Sequence, residues 1–496
     1  MADKLNKRGS QTGCGKSDLR IVPSMPGNAG GGKAMTQWRP QEGDMHHTGG
    51  GENMGTELER IAGMAKRHPG ERLTTLAHHI NEETLKECHR DMDRQKAVGV
   101  DGVDWETYGQ DLQANVGRLM QRMRVGAYHP QPVRRVYIPK AGSDKMRPLG
   151  IPCHEDKLVQ MQVSRILDAV YDQEFLDCSF GFRPNRNCHD ALKVLNHVIE
   201  KRDVNYVVDA DIKGFFDNVD HGMLMEFLQM RIGDPKLLSL IKRILVAGVV
   251  EDGRRIPTEK GVPQGGATSA VLANLYLHHV LDTWFMEVVK AHCEGEAHLI
   301  RYADDFVACF QYEGDAKRFY GSLIKRLAKF NLEVAIEKTR IIAFGRNAAD
   351  GRGEDGLGKP ETFDFLGFTH YCGKSANGQF RVKRKTCAKK FRAALARMKE
   401  WLRLNLNKPT AEVTGMVSMM LVGHYRYYGI TDNSGMIGDF FYHVRRMLFK
   451  WFCRRSQKTG MNWDKYQRFL IRNPIPRGRI TVSIYDVGPA LISYIR

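Results

Sequence analysis

Two adjacent carboxylates, Asp304 and Asp305, stand between two apolar segments in the sequence His298-Leu-Ile-Arg-Tyr-Ala-Asp-Asp-Phe-Val-Ala-Cys-Phe310. Apolar, β-prone flanks around a short polar tip predict a β-hairpin that carries both acids where it turns. An acid pair is unfavourable unless a cation binds it, and carboxylate oxygens are ligands that Mg²⁺ prefers. Two Mg²⁺ ions about 3.5–4 Å apart catalyse phosphoryl transfer to a hydroxyl. The pair therefore indicates either such a site or a solvated turn.

A second acidic segment, Tyr206-Val-Val-Asp-Ala-Asp-Ile212, lies about ninety residues upstream. Its valines and isoleucine predict a buried strand, and Asp209 and Asp211 would point to the same face of it because they are two residues apart. Periodicity alone does not decide which of the two acids would join the adjacent pair. Either acid could instead cap a following helix, since Gly214 is typical of a turn at that point.

A glycine-rich loop, Lys260-Gly-Val-Pro-Gln-Gly-Gly-Ala-Thr-Ser269, lies between the two acidic segments and leads into an apolar helix. Glycines let a flat substrate approach the backbone closely, and Gln264 offers both a hydrogen-bond donor and an acceptor. Taken alone, such a loop says little about function.

In this order, Asp211, Pro263-Gln-Gly-Gly266 and Tyr302-Ala-Asp-Asp305 resemble the motifs of the reverse transcriptases that bacterial group II introns encode. The resemblance covers about residues 60 to 470. The chain resembles those members that lack a C-terminal endonuclease domain, so we expect that it cannot cut a second target strand itself. Further blocks that resemble this family are Gly99-Val-Asp-Gly-Val-Asp104, Arg134-Arg-Val-Tyr-Ile-Pro-Lys140, Lys145-Met-Arg-Pro-Leu-Gly-Ile-Pro152, Ser179-Phe-Gly-Phe-Arg-Pro184, Glu337-Lys-Thr339, Phe363-Asp-Phe-Leu-Gly-Phe368, Gly423-His-Tyr-Arg-Tyr-Tyr-Gly429 and Arg454-Arg-Ser-Gln-Lys458.

By matched position, the resemblance implies that Asp211, Asp304 and Asp305 form a catalytic triad that binds two Mg²⁺ ions. In this family, the aromatic residue five positions after the first catalytic acid blocks the ribose 2′-hydroxyl. That residue is Phe216 here, so the resemblance implies a steric gate at Phe216. The same spacing favours Asp211 over Asp209 as the first acid.

The resemblance also implies contacts to the incoming nucleotide. Lys140 and Arg147 would lie on a fingers hairpin and grip the triphosphate by charge-assisted hydrogen bonds, although both could be ordinary surface charge. Gln264 would contact the nucleotide or the template, and Lys338 would lie near the leaving pyrophosphate.

The fold that the resemblance implies is an α+β right-hand polymerase, in which fingers and palm with an antiparallel sheet precede an α-helical thumb. Within the palm, residues 189–200 have the spacing of an amphipathic helix. We predict five regions: a flexible leader over residues 1–55, a helical N-terminal extension over 56–125, fingers and palm over 126–372, a maturase thumb over 373–452, and a basic tail, with a DNA-binding remnant as one interpretation, over 453–496.

The thumb region is rich in cations. Tyr425 and Arg426 belong to a cluster of aromatic and basic residues that could stack on bases, although half of these residues should face the core if the segment is helical. Arg454 and Arg455 stand where the basic tail begins and are candidates for contact with nucleic acid. Residues 381–403 predict a helix with a cationic surface around one apolar stripe, which consists of Phe391, Leu395, Met398 and Leu402.

The composition indicates a polyanionic partner. The 496 residues include 75 Lys and Arg against 57 Asp and Glu, a formal charge of +18, and such an excess favours binding to phosphates. The ten cysteines form no Cys-x-x-Cys pair, which argues against a closed zinc site. No segment has the features of a signal peptide or a membrane span, so we expect a cytoplasmic location in a bacterium and no membrane partner.

The implied function is RNA-directed DNA polymerase activity that extends a primer 3′-hydroxyl on an RNA template with deoxynucleotides. Maturase activity would assist group II intron splicing and target-primed retrohoming, with the intron RNA and the target DNA as partners. Two alternatives stay open: a domesticated relative in phage defence or repair, and an RNA-binding splicing factor without catalysis. The intact acids argue against the splicing factor, and the basic thumb favours an intron protein over a domesticated one.

Overall fold

The computed structural model describes residues 52–139, 146–348, 360–455, 461–488 and 491. Lys140 and residues 1–51 of the predicted leader lie outside the described residues. The first helix begins at Glu52, so the helical N-terminal region starts slightly before the predicted boundary at residue 56.

Helices make up most of both ends of the described chain. None of the helices in the described ranges is long and apolar enough to cross a membrane. A short 3₁₀ turn at Ala77–His79 precedes α2, and two π-helical turns, His278–Asp282 and Phe285–Val289, continue α10. The helices are α1 (Glu52–Arg67), α2 (Glu82–Asp91), α3 (Trp105–Gly109), α4 (Leu112–Arg124), α5 (His154–Tyr171), α6 (Cys188–Lys201), α7 (Phe215–Asn218), α8 (His221–Arg231), α9 (Pro235–Leu245), α10 (Ser269–Leu277), α11 (Glu313–Lys329), α12 (Ala388–Leu404), α13 (Thr410–Tyr428), α14 (Ser434–Arg454) and α15 (Trp463–Arg472).

The strands form three sheets. The amino-terminal sheet has the order β2-β1-β4-β5, the central sheet β6-β7-β3-β8 and the carboxyl-terminal sheet β11-β10-β9. All neighbouring strands are antiparallel except β1 and β4, which are parallel. The strands are β1 (Val133–Pro139), β2 (Met146–Ile151), β3 (Tyr206–Ala210), β4 (Val249–Glu251), β5 (Arg254–Ile256), β6 (Ala297–Tyr302), β7 (Asp305–Phe310), β8 (Arg340–Ala343), β9 (Phe363–Phe365), β10 (Phe368–Lys374) and β11 (Phe380–Thr386).

The central sheet is buried on both faces. Successive side chains of a strand point to opposite sides, so each face packs against a different apolar core. Val208 and Ala308 belong to one apolar core, which also includes residues of α1 to α5 and α8 to α11. Val207 and Val307 belong to a second core, which includes residues of α6, the carboxyl-terminal sheet and α12 to α15. The strand predicted from Tyr206 and the helix predicted over residues 189–200 are both confirmed.

The helix predicted over residues 381–403 is only partly confirmed. Residues 381–386 belong to strand β11, and the helix begins at Ala388. Val382, Arg384 and Thr386 alternate inward and are buried, which is the period of a strand. The middle inward position is Arg384, whose guanidinium donates to Asn196. Because this buried position is a cation, the segment has the sequence pattern of a cationic helix surface.

The predicted basic tail is not detached from the fold. Its described part contains α15, and Tyr466 of this helix is fully buried in the second core. The Tyr466 hydroxyl donates to the Arg445 carbonyl oxygen at 2.8 Å. A β-bridge further joins Val482 to Ile430. The described residues after 460 are therefore part of the carboxyl-terminal helical layer.

Candidate active site

The two adjacent acids lie at the predicted hairpin. Tyr302 of β6 pairs with Asp305 of β7, which leaves Ala303 and Asp304 as a two-residue turn. Ala303 has a φ of +59°, a left-handed conformation that two-residue hairpin turns require. The Asp304 side chain is buried, with 6% exposure, whereas Asp305 is exposed at the start of β7. The hairpin prediction is confirmed.

The register of the central sheet brings the third predicted acid to the same end. Ala210, the last residue of β3, pairs with Phe306. Continued by one residue, this register places Asp211 opposite Asp305, and facing residues of antiparallel strands have Cα atoms roughly 4.5–5.5 Å apart. Asp209 pairs with Val307 and therefore lies on the same face, one step further into the sheet.

Negative charge is concentrated at this end of the sheet. The pKa of Asp209 is raised to about 6, mainly by burial; the Arg340 guanidinium opposes this rise, and the carboxylates of Asp305, Asp364 and Asp211 contribute to it. The Arg340 guanidinium lies 3.8 Å from the Asp209 carboxylate. Crowded, partly desolvated carboxylates favour the binding of cations.

Lys338 provides one such cation. The backbone N–H of Ala335 donates to the Asp211 carbonyl oxygen at 2.8 Å, and the turn that follows brings the Lys338 ammonium onto Asp211 Oδ2. This hydrogen bond raises the pKa of Lys338. The predicted contact of Lys338 with a leaving pyrophosphate stays a prediction, and in this structure the side chain binds the first acid of the triad.

The donor set at the sheet end suits a hard cation, because carboxylate oxygens are preferred ligands of Mg²⁺. Within the described ranges, however, no three Asp, Glu, His or Cys side chains converge so that they could hold one metal ion as they stand. Asp211 is engaged by Lys338. The oxygens therefore fit the ion chemically, and a metal site would require that these side chains rearrange.

Two further cations on other elements lie near Asp305. Arg147 lies on β2 opposite Ile138, and burial lowers the pKa of its guanidinium while the nearby Asp305 carboxylate counteracts that effect. Lys390, in the first turn of α12, is also near Asp305 and Arg147, and burial lowers the pKa of its ammonium. The structure thus places Arg147 near Asp305, and its predicted contact with the triphosphate stays a prediction. Lys390 was missed because no spacing distinguishes it from the many other cations of its segment.

The glycine-rich loop is packed directly against β2. The Gly150 N–H donates to the Gln264 carbonyl oxygen at 2.7 Å. Gly265 has a φ of +120°, and a Cβ atom there would lie 2.6 Å from the Gly150 carbonyl oxygen. The loop therefore requires glycine at this position, and it holds the half-buried Gln264 beside the strand that carries Arg147.

Phe216 is buried beneath the same loop, with 2% exposure. Gly214, with a φ of +55°, lets the chain turn into α7, and the Val262 N–H donates to the Phe216 carbonyl oxygen at 2.8 Å. The ring forms part of the first core. The steric gate stays a prediction, because the ring as placed here packs within the core.

The outer candidates differ in exposure. Tyr425 is buried in the second core, with 6% exposure, so the predicted stacking of this ring on nucleic acid is not supported. Arg426 and Arg454 are exposed. Arg455 donates to Thr410 Oγ1 at 2.8 Å, and its guanidinium lies 4.6 Å from the Trp451 ring centre.

Two family models match the chain. A model described as reverse transcriptase (RNA-dependent DNA polymerase) matches residues 138–370, which include the acids, Arg147 and the glycine-rich loop. A model described as group II intron, maturase-specific domain matches residues 391–469, which lie in α12 to α15.

Several curated proteins are similar in sequence. The group II intron-encoded protein LtrA of Lactococcus lactis subsp. cremoris is 38% identical over 232 residues, which are 47% of this chain and 38% of that protein. Protein YkfC of Escherichia coli K12 is 31% identical over 293 residues, 51% of this chain and 74% of YkfC. Nuclear intron maturase 2 of Arabidopsis thaliana is 33% identical over 112 residues, 21% of this chain and 15% of that protein. The alignments thus span well under half of the lactococcal protein and most of YkfC.

Proposed function

We propose that this chain, which belongs to the family of group II intron-encoded reverse transcriptases and maturases, is an RNA-directed DNA polymerase. The observation that carries the proposal is the position of Asp211, Asp304 and Asp305 at one end of the central sheet, with Arg147 near Asp305. Acids and a cation so arranged suit the transfer of a nucleotide to a primer 3′-hydroxyl, in which positioning and electrostatics provide most of the catalysis.

Asp211, Asp304 and Asp305 would hold two Mg²⁺ ions. When bound, such ions lower the pKa of the attacking hydroxyl and stabilise the charge on the leaving phosphate. In this proposal Lys338 leaves Asp211 when the site is loaded and becomes available to the pyrophosphate. Its hydrogen bond to Asp211 supports this proposal, because the ammonium already lies beside the first acid of the triad.

Arg147 would bind the triphosphate of the incoming deoxynucleotide, together with Lys140, through charge-assisted hydrogen bonds. Gln264 would contact the nucleotide or the template from the glycine-rich loop, and Phe216 beneath it would select against ribose. In this interpretation the amino-terminal sheet forms fingers, the central sheet a palm and α12 to α15 a thumb. That is the right-hand arrangement expected from the sequence.

The match of residues 391–469 supports a second role, in which the helical layer binds group II intron RNA and assists splicing. The formal charge of +18 suits intron RNA, an RNA template with its primer, and target DNA. Return of the intron by target-primed synthesis would use the same polymerase site on a DNA primer.

Primer extension on an RNA template, with deoxynucleotides and Mg²⁺, tests the proposal. We expect DNA synthesis by the wild type and none by the Asp304→Ala, Asp305→Ala double variant, because the variant loses two of three acidic ligands. RNA binding, measured by fluorescence anisotropy, should be unchanged. The matched control is Glu226→Ala, Glu287→Ala, which removes two exposed helical acids and should leave synthesis intact.

Normal synthesis by the Asp304→Ala, Asp305→Ala variant would refute the assignment of the active site. A folded wild type that binds RNA and synthesises no DNA would refute the polymerase and favour the splicing factor. The maturase role is tested independently of these two results, by measuring whether the protein stimulates splicing of a group II intron transcript.

A further inference from the structure

Arg301, three residues before Asp304, is a fully buried cation next to the hairpin turn, with 0% exposure. Its Nε and Nη2 donate to the two carboxylate oxygens of Asp282 at 2.7 and 2.5 Å, and Asp282 is also fully buried. An arginine and a carboxylate that share two parallel hydrogen bonds fix each other's orientation. The direction of the guanidinium is therefore set by Asp282, at the end of the π-helical turn after α10.

The remaining donors of Arg301 reach three other segments. Nη1 donates to Asn274 Oδ1 at 3.0 Å and to the Ala303 carbonyl oxygen at 2.9 Å, and Nη2 donates to Ser179 Oγ at 2.7 Å. All five guanidinium N–H groups are thus used. One of their acceptors, the Ala303 carbonyl, belongs to the turn that carries Asp304.

The turn also packs closely against a second segment, the chain at Gly181. A Cβ atom on Gly181 would lie 2.3 Å from the Ala303 nitrogen, so the chain at Gly181 rests directly on the turn. Asn274 Nδ2 donates to the Gly181 carbonyl oxygen at 2.7 Å. Asn274 therefore joins Arg301 on one side of the turn to Gly181 on the other.

We propose that Arg301, oriented by Asp282, is a positioning residue that fixes the Ala303–Asp304 turn and thereby aims Asp304 and Asp305. The inference rests on the proposed function and adds to it the reason why the acids hold one geometry. A buried ion pair gains little stability over apolar residues of similar volume. What an apolar pair could not supply is the donor to the Ala303 carbonyl, which holds the strained turn in place.

The variant that tests the inference is Arg301→Lys. Lysine keeps the charge opposite Asp282, but its single ammonium cannot reach Asp282, Ser179 and the Ala303 carbonyl together. Arg231→Lys is the matched control, because Arg231 is also buried, pairs with Glu174 and donates to carbonyls at Ala65 and His68. Arg231 is not bonded to the turn in any contact that the structure gives.

Four quantities are measured on the full chain: thermal stability, Mn²⁺ affinity by electron paramagnetic resonance, and the kcat and KM of primer extension. Both variants should lose thermal stability. Only Arg301→Lys should weaken Mn²⁺ binding and lower kcat, each on the order of 10- to 100-fold, with KM for the deoxynucleotide nearly unchanged. Equal Mn²⁺ affinity and kcat in the two variants would overturn the inference while leaving the proposed function intact.

If Arg301→Lys does not fold, Asn274→Leu decides the question, because it removes the link between Arg301 and Gly181 and keeps the same number of non-hydrogen atoms in the side chain. Its control is Asn196→Leu, since Asn196 is also buried and accepts from a buried arginine, Arg384, away from the turn. A selective loss of Mn²⁺ affinity in Asn274→Leu supports the inference, and matched losses overturn it. A wild type that binds no Mn²⁺ and makes no DNA would refute the proposed function itself.

Discussion

At the scale of single residues, Lys338 and a divalent cation would compete for the same carboxylate. The Lys338 ammonium donates to Asp211 Oδ2, and the pKa of Lys338 is raised mainly by that hydrogen bond. The lysine side chain is more than half exposed, so solvent screens the pair and limits its strength to about 0.2–1 kcal/mol. Mg²⁺ can displace a pair of this strength, and the competition lowers the affinity of the site for Mg²⁺ only slightly.

We therefore predict that Lys338→Met tightens Mn²⁺ binding in the absence of nucleotide, by roughly two- to fivefold, because the competing ammonium is removed. Primer extension by the same variant should slow, since the proposed partner of the pyrophosphate is lost. Isothermal titration with Mn²⁺ and single-turnover extension measure the two effects.

Lys213→Met is the matched control for this prediction. Lys213 is also exposed and pairs with an acid, Glu333, at 3.0 Å. Its replacement should change neither quantity. Weaker Mn²⁺ binding by Lys338→Met would contradict the competition and would indicate that the lysine helps to organise Asp211.

At the scale of elements, the site depends on two places where backbones touch. The chain at Gly181 rests on the hairpin turn, and the loop at Gly265 rests on β2. Both contacts join segments that are far apart in the sequence, and both leave no room for a side chain. They transmit the position of one element to the next without any adjustable side chain between them.

We predict that Gly181→Ala destabilises the protein by about 1–3 kcal/mol, the usual cost of inserting an extra group into a closely packed site. DNA synthesis should fall more than this loss of stability explains, because the new methyl group would push the turn and its acids away. Urea denaturation and primer extension below the unfolding temperature test the two parts.

The control is Gly117→Ala in the middle of α4, where a Cβ atom would meet nothing within 4 Å. It should stabilise the helix by up to about 1 kcal/mol and leave synthesis unchanged. Normal synthesis by Gly181→Ala would show that the turn tolerates displacement, which would count against a closely fixed site.

Elements whose side chains alternate in a simple way could be predicted from the sequence. The hairpin at Asp304 and the strand of Asp209 have apolar inward positions, and both were confirmed. Strand β11 was missed because one inward position is Arg384, which is buried against Asn196. A polar interior residue is recognisable only when its partner is known, and the partner lies 188 residues away.

At the scale of the whole molecule, the candidate site lies where three layers meet. Asp305 of the central sheet is near Arg147 of the amino-terminal sheet and Lys390 of α12. The acids could be predicted from motifs that are local in the sequence. The Lys390 contact and the bonds of Arg301 could not, because they depend on how separate segments pack, for example Ser179 against Arg301 across 122 residues.

The packing of the whole molecule also determines the role of the segment after Arg455. Tyr466, Ile475 and Ile484 are buried in the second core, and Val482 forms a bridge to Ile430. Each buried side chain of this size contributes about 1.5–3 kcal/mol. The segment is therefore a structural part of the helical layer, and its arginines can be tested for nucleic-acid binding only in a chain that keeps it.

We predict that truncation after Arg455 lowers thermal stability and abolishes primer extension and DNA binding together, because the second core is opened.

Arg472→Gln with Arg479→Gln should keep the fold, since both side chains are exposed. If these arginines contact phosphates, the double variant should weaken binding to duplex DNA and reduce the slope of log affinity against log salt by about one per contact.

Fluorescence anisotropy over a series of salt concentrations measures that slope, and Arg118→Gln with Arg124→Gln on α4 removes the same charge from another exposed surface. An equal change in the two double variants would mean that only net charge matters. A truncated chain that is stable and extends primers normally would show that the segment is an appendage, in spite of its buried tyrosine. Loss of every activity in the truncation, together with a selective change of slope in Arg472→Gln with Arg479→Gln, would show that one segment both completes the core and contacts DNA.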